Sequence, residues 1–298
     1  MNYRHAFHAG NFADVHKHVV LTRILHHLRQ KASAFRVVDT HAGAGHYNLF
    51  GPEALRAQEW RSGVGRVFDA IRTTTYRQKV AQADDPQTLL APYLDIVAAL
   101  NPGGELRNYP GSPLIALSLM RRQDRLIACE CEPRTAASLK TALQGEPRAK
   151  ILTIDGWMAL NANVPPKERR GVVVVDPPYE ETADFTRLSA AFAEAHRKWP
   201  TGIYLFWYPI KERDAPDALA RRFRKLDVPK ILRCEIMLSE PRADIGLVGS
   251  GLIVVNPPFV LERELQALLP ALRNLLLPDA TWRLDWLARE QTTTDSRG

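Results

Sequence analysis

Asp176-Pro177-Pro178-Tyr179 is the segment of this 298-residue chain whose residue types most directly specify a chemistry. An aromatic amino group is a poor nucleophile, because its lone pair is delocalised into the ring. Asp176 can accept one of its N–H bonds and the carbonyl of Pro177 can accept the other. Together they favour a pyramidal nitrogen whose lone pair is aimed at an electrophilic methyl group. Proline fixes its own φ, so the Pro-Pro step holds that carbonyl in one direction. Tyr179 offers a face on which an extruded base can stack. The four residues follow Val172-Val173-Val174-Val175, a run that reads as a strand buried on both faces. Doubly wound folds bind ligands beyond the carboxyl ends of such strands.

Three other strand ends carry acids. Val37-Val38-Asp39 opens into Thr40-His41-Ala42-Gly43-Ala44-Gly45, where Gly43 and Gly45 let backbone approach a ligand closely. The dinucleotide fingerprint is incomplete, because its third glycine position holds Asn48. Glu130 closes Leu126-Ile127-Ala128-Cys129, where an acid can accept hydrogen bonds from ribose hydroxyls. Asp155-Gly156 ends the next strand, where an acid can receive an adenine amino group. Taken singly, each of these reads equally as an exposed acid or a tight turn. Asn256-Pro257-Pro258-Phe259 repeats the proline pattern after another apolar run. Chain order assigns the chemistry to Asp176, because too little chain follows Asn256 to complete the fold. Asn256 then marks a strand-to-helix turn.

The histidines cluster early: His5, His8, His16, His18, His26, His27, His41 and His46, with only His196 elsewhere. No acidic ligand pair accompanies them at fixed spacing, so no metal site is expected. Lys17 beside His18 suits a cofactor carboxylate or, equally, a solvated helix face.

The elements that must position these residues are short β-branched runs alternating with amphipathic stretches. Strands are predicted over Phe35 to Asp39, Arg125 to Glu130, Ala149 to Asp155, Gly171 to Asp176, Gly202 to Tyr208, Lys230 to Leu238 and Gly251 to Asn256. Helices are predicted over Ala13 to Gln30, Arg134 to Leu143, Ala183 to Arg197, Asp214 to Arg224 and Glu262 to Leu276, and another opens with Ser112 as N-cap and Pro113 at its first position. The pattern predicts an α/β, Rossmann-like fold, with a seven-stranded, mostly parallel sheet flanked by helices. Residues 51–104 hold no convincing strand and read as a small helical insertion, dividing a main domain of residues 1–50 and 105–298. The net charge of +7 favours a polyanionic partner, since Lys and Arg neutralise phosphates and release counterions. Cys129, Cys131 and Cys234 lack zinc or disulfide spacing and read as reduced, buried thiols. No apolar run approaches the ~18 residues of a membrane helix, and no signal-like apolar region opens the chain. A cytoplasmic protein away from membranes is expected.

The segments Tyr3-Arg4-His5-Ala6-Phe7-His8-Ala9-Gly10-Asn11, Asp14, Lys17-His18, Asp39 to Gly45, Tyr109-Pro110-Gly111-Ser112-Pro113, Asp155-Gly156, Asp176 to Tyr179, Trp207-Tyr208-Pro209 and Gly251 to Pro258 together resemble the RlmJ family of ribosomal RNA large subunit methyltransferases. The resemblance runs to about Leu276. It implies a class I methyltransferase that uses S-adenosylmethionine to methylate N6 of adenine 2030 in 23S rRNA; a monomer that needs no metal is expected. It implies that His18, His41, Gly43, Ser112, Glu130, Asp155, Gly156 and Asp176 hold the cofactor, with Lys17 nearby. Tyr3 would meet the target adenosine, and Asp176, Pro177 and Tyr179 would form the catalytic loop. The insertion departs from the family in length and in its basic residues Arg56, Arg61, Arg66, Arg72, Arg77 and Lys79. A DNA adenine methyltransferase would share the catalytic motifs but usually needs a larger recognition segment. A non-catalytic RNA-binding protein would have no use for an amino-group acceptor, and an NAD oxidoreductase would lack its third glycine.

Overall fold

The structure is a computed structural model, and it describes residues 4–72, 84–181, 183–238 and 246–290. Tyr3, Arg77 and Lys79 lie outside the described residues. In chain order the elements begin with α1 (Phe12–Arg29), β1 (Arg36–Asp39), β2 (His46–Asn48), α2 (Pro52–Ala57), α3 (Arg66–Arg72), α4 (Pro86–Ala99), β3 (Asn108–Pro110) and α5 (Ser112–Leu119). They continue with β4 (Arg125–Cys129), α6 (Pro133–Ala142), β5 (Ala149–Leu152), α7 (Gly156–Ala162), β6 (Gly171–Val175), α8 (Asp184–Lys198) and β7 (Ile203–Ile210). They end with α9 (Asp214–Arg224), β8 (Ile231–Leu238), β9 (Gly249–Val255), α10 (Leu261–Leu276) and β10 (Ala280–Ala288).

The main sheet has eight strands in the order β10-β8-β9-β7-β6-β1-β4-β5. The run from β5 to β7 is parallel, while β9 lies antiparallel to both β7 and β8, and β10 antiparallel to β8. The seven predicted strands are present, and β10 is an eighth. The sheet switches direction of strand order at β1 and β6, so Asp39 and Asp176 leave neighbouring strands on the same edge.

The apolar run in β6 is explained by two cores. Val172 and Val174 pack with Val37, Leu126 and Leu205 on one face, and Val173 and Val175 with Val38, Tyr204 and Phe206 on the other. Alternate residues of a strand point to opposite faces, so a doubly covered strand has no place for a polar residue. The first core also takes in α1, α5, α10 and the insertion, through Val64, Val67, Phe68, Leu89, Tyr93 and Leu94. The second is covered by α7, α8 and α9 through Leu160, Leu188, Phe192, Leu219 and Phe223.

The polar residues of α1 are buried as well as the apolar ones. Asp14, His16, Lys17, His18, Thr22 and Arg23 are all at most 6% exposed. Burial of such groups is tolerable only when each finds a partner. Arg23 meets Glu264 of α10 in a bidentate pair at 2.9 and 2.7 Å, and Thr22 donates to the His18 carbonyl at 2.7 Å. Asn11 caps the helix by accepting from the Asp14 N–H at 2.9 Å.

Among its described residues the insertion is built of helices joined by turns, and the chain kinks at Gly63 (φ −99°, ψ −111°) between α2 and α3. Two short strands, β2 and β3, pair antiparallel across its base. One boundary differs from expectation: Gly111, not Ser112, is the N-cap of α5, and Ser112 is its first helical residue. No helix among the described residues is long and apolar enough to cross a membrane.

Candidate active site

Asp176 stands at the exit of β6, 15% exposed at its side chain, between two cavities. The smaller, of about 700 Å³, is bordered by Lys17, His18, His41, Gly43, Ser112, Glu130, Gly156 and Asp176. The larger, of about 1400 Å³, is bordered by Asp14, Arg66, Asp176, Tyr179, Trp207, Lys211 and Arg273. His5, Lys17, Asp176 and Pro178 border both. Residues from α1 and from loops after β1, β4, β5 and β6 therefore converge on one sheet edge.

The glycine loop is built for close approach. Gly43 has φ +62°, and a Cβ there would lie 2.3 Å from the Tyr47 hydroxyl. Its N–H donates to Glu130 Oε2 at 3.1 Å, and Glu130 Oε1 accepts from the Glu132 N–H at 2.8 Å. Burial raises the Glu130 pKa above the ordinary range, against these backbone donors. Gly156 is equally constrained: a Cβ would sit 2.4 Å from His41 Nε2 and 2.5 Å from the Thr40 carbonyl. His41 packs edge-on against Trp157 at 5.5 Å, and burial lowers its pKa to about 4. Asp155 does not border the cavity directly. Its Oδ1 caps α7 by accepting from Trp157 and Met158 N–H at 3.0 and 3.1 Å, and Arg187 approaches at 3.6 Å.

Lys17 is not a free cation. Its ammonium lies 2.9 Å from Asp14 Oδ1 and pairs closely with Asp176 Oδ2. Burial would depress its pKa, but the two carboxylates outweigh that and raise it. Lys17 is thus held cationic and cannot act as a base. Asp14 also accepts from His5 Nε2 and the Gly10 N–H, both at 2.9 Å. Burial works to raise the Asp14 pKa, yet His5 and Lys17 hold it well below the ordinary value.

Tyr179 differs from the expected stacking face. Its φ is +49°, in the left-handed region that side chains disfavour. That turn drives the ring into the second core, leaving it 8% exposed between Phe185 and Trp207. Its hydroxyl donates to the Trp207 carbonyl at 2.6 Å, tying the Asp-Pro-Pro-Tyr loop to β7. The accessible surfaces on this wall of the larger cavity are those of Pro178 and Trp207, both partly exposed. Trp207 is itself held, donating from Nε1 to Ser250 Oγ at 3.0 Å.

Asp39 borders neither cavity, but it is buried directly behind Thr40 and His41 of the smaller one, and the sequence shows it only as a strand end. It is 1% exposed, and neither carboxylate oxygen makes a hydrogen bond of full geometry among the described residues. Burial lifts its pKa to about 7, against the pull of Ser112, Lys17 and the His41 N–H. A buried carboxylate in that condition matches a cationic ligand group.

The second proline motif sits elsewhere. Val255 pairs with Tyr204 at the start of β7, so antiparallel β9 delivers Asn256 to the sheet edge opposite Asp176. Asn256 donates to the Pro200 and Gly202 carbonyls at 2.7 and 2.8 Å, as a turn residue should. The histidines disperse among separate partners: His8 on Glu59, His16 on Ser250, His18 on Tyr109. Among the described residues no group of three or more His, Cys, Asp or Glu is arranged to hold a metal ion. Cys129 and Cys234 are buried free thiols, but Cys131 is exposed, because the chain has already left β4 there.

Known proteins share both the sequence and the overall fold of this chain. A family model described as ribosomal RNA large subunit methyltransferase D, RlmJ, matches residues 32–288. The chain is 36% identical over 293 residues to ribosomal RNA large subunit methyltransferase J of Haemophilus influenzae, covering 97% of this chain and 100% of that one. It is 37% identical over 292 residues to the Escherichia coli protein of the same name, with 97% and 100% covered. A crystal structure of a Legionella pneumophila protein superposes with a TM-score of 0.83 at 30% identity, covering 94% of this chain and 98% of that one.

Proposed function

The chain belongs to the RlmJ family of ribosomal RNA large subunit methyltransferases, and from that premise we propose that it methylates N6 of one adenine in 23S rRNA, adenine 2030, using S-adenosylmethionine. The observation that carries the reading is the position of Asp176 between two cavities that share it. One cavity fits the methyl donor and the other an extruded base, so donor and acceptor meet at the Asp-Pro-Pro-Tyr loop.

The smaller cavity suits each part of the donor. Glu130 offers an acceptor to its ribose, and Asp39, buried behind Thr40, His41 and Ser112 of the cavity wall, adds an acid on the side of its ammonium group. Gly156 and His41 flank the place for its adenine, and Asp155, which caps α7 behind them, is the acid offered to the adenine amino group. His18, Ser112 and the N-terminus of α5 suit its carboxylate. When bound, S-adenosylmethionine supplies an electrophilic sulfonium methyl group.

The chain's own residues do the rest by positioning and electrostatics. Asp176 accepts an N–H bond of the adenine amino group, and the Pro177 carbonyl accepts the other. Lys17 neutralises Asp176 Oδ2, and Oδ1 is left to take the substrate N–H. Pro178 and Trp207 form the apolar wall of the base site, with Tyr179 beneath them. Arg66, Lys211 and Arg273 border the same cavity and suit the RNA backbone, while Glu59 and Asp279 limit how far phosphates can enter. Tyr3 completes the adenosine contact in this reading, and the enzyme works in the cytoplasm as a monomer.

The test is transfer of labelled methyl from S-adenosylmethionine to unmodified 23S rRNA, followed by nucleoside analysis and site mapping. Label in N6-methyladenosine at position 2030 is the expected result. Label at another base overturns the site, and label only on duplex DNA overturns the substrate.

A further inference from the structure

A chain of hydrogen-bonding groups runs from the insertion to the smaller cavity. The Tyr93 hydroxyl on α4 lies 3.1 Å from the Tyr109 hydroxyl on β3, which lies 2.8 Å from His18 Nδ1 on α1. Tyr93 and Tyr109 are fully buried, and His18 is 1% exposed. His18 borders the cavity, and its Nε2, on the far side of the ring from Tyr109, has no partner among the described residues.

Counting hydrogens fixes the direction of this chain. Tyr109 is the partner of the Tyr93 hydroxyl among the described residues. If Tyr109 donated to Tyr93, the Tyr93 hydrogen would be buried without an acceptor, which is costly. Tyr93 therefore donates to Tyr109, and Tyr109 donates to Nδ1. Burial and the neighbouring Lys17 push the His18 pKa down to about 3, so the ring is neutral and carries one hydrogen. With Nδ1 an acceptor, that hydrogen is on Nε2.

We propose that Tyr93 and Tyr109 are positioning residues that lock His18 in its Nε2–H form, so that it donates to the carboxylate of the cofactor's amino-acid end. The proposal rests on reading the smaller cavity as the S-adenosylmethionine site. The neighbouring groups favour a carboxylate at this point. His18 and Ser112 border the same part of the cavity, where α5 begins and its free N–H groups favour an anion. A neutral N–H cannot accept from an ammonium group, so this part of the cavity suits the carboxylate and not the ammonium. The arrangement also gives the insertion a direct line to cofactor binding, independent of any contact with RNA.

Two measurements test it. Long-range proton–nitrogen correlation spectra of ¹⁵N-histidine protein, with His18 identified by its loss in His18→Gln, report the tautomer directly. A bare Nδ1 and a protonated Nε2, unchanged from pH 5 to 8, are expected; a protonated Nδ1, or a ring that titrates in this range, overturns the lock. Calorimetry then compares S-adenosylhomocysteine with 5′-methylthioadenosine, which lacks the amino-acid end. Tyr109→Phe should weaken the first about tenfold and leave the second unchanged, and Tyr93→Phe should weaken the first about threefold. Equal losses for both probes, or no loss for either, overturn the carboxylate assignment. If the wild-type chain binds neither probe, the cofactor reading itself fails, while the tautomer result still stands or falls on the spectra.

Discussion

Lys17 is the residue on which the proposed chemistry turns, because it is the cation that Asp14 and Asp176 share. It is buried between them, and removing its ammonium would leave two acids without that partner. Asp176 would also lose the contact that occupies Oδ2 and leaves Oδ1 to the substrate. Lys17→Met is expected to lower kcat/KM about 100-fold. Near-native turnover in that variant would show that Lys17 does not hold Asp176 for the reaction. Asp176→Ala removes the acceptor itself, and should reduce methyl transfer at least ~1000-fold while circular dichroism stays native. Near-native turnover in that variant would move the chemistry away from this loop. Much of this site is legible in the sequence, because acids at successive strand ends, a glycine loop and Asp-Pro-Pro-Tyr each need the others to make a site for a nucleoside donor and an amino acceptor. Asp39 and Tyr109 are not legible there, since their roles depend on orphaned or relayed hydrogen bonds that only three-dimensional proximity creates. Tyr179 is not the stacking face its sequence suggests, and no local signal announces its left-handed backbone.

At the scale of elements, the N-terminal segment and the insertion hold each other in place. The Val64 N–H donates to the Gly10 carbonyl at 2.8 Å, and a Cβ on Gly63 would lie 2.1 Å from that same carbonyl oxygen and 2.7 Å from Asn11 Cα. Backbone atoms cannot yield as a flexible side chain can. Gly63→Ala is therefore expected to destabilise the protein by about 3 kcal/mol, read as a lower urea midpoint at unchanged slope. Because His5 and His8 border the larger cavity just ahead of this contact, substrate KM should rise as well. A variant with wild-type midpoint and KM would show that the contact gives way freely. The sequence marks this region as helical but not its kink at Gly63, which a residue without a side chain permits and tertiary packing selects. β10, by contrast, has a signal in the sequence: residues 281–286 alternate strictly between polar and apolar, the pattern of a half-buried strand, and Leu284 pairs with Cys234 and Trp286 with Leu232.

Across the whole molecule, the buried titratable groups make stability depend on pH in a definite direction. His16 and His18 are pushed down to about 3 and His41 to about 4, in each case mainly by burial. A histidine with a depressed folded pKa contributes stability above its unfolded pKa, near 6.5, and loses it as pH falls toward the folded value. Asp39 works the other way. Its folded pKa of about 7 means that the folded state binds a proton more readily than the unfolded chain, so it destabilises as pH rises from about 4 to about 7. Between pH 6 and 4 the unfolded chain therefore takes up three protons that the folded histidines refuse, and the folded chain keeps one that the unfolded chain releases. The net of two protons corresponds to about 3 kcal/mol lost per pH unit of acidification. Urea unfolding at pH 7, 6 and 5 should show a steepening loss of stability below about pH 6. Asp39→Asn should be more stable than wild type at pH 8 and should steepen the acid loss, because the opposing proton is gone. A flat profile from pH 7 to 5 would mean that these histidines are not held neutral in the fold. That neutrality suits the proposed cofactor site, because a cationic His18 beside Lys17 would add charge to a cluster that Asp14 and Asp176 already share.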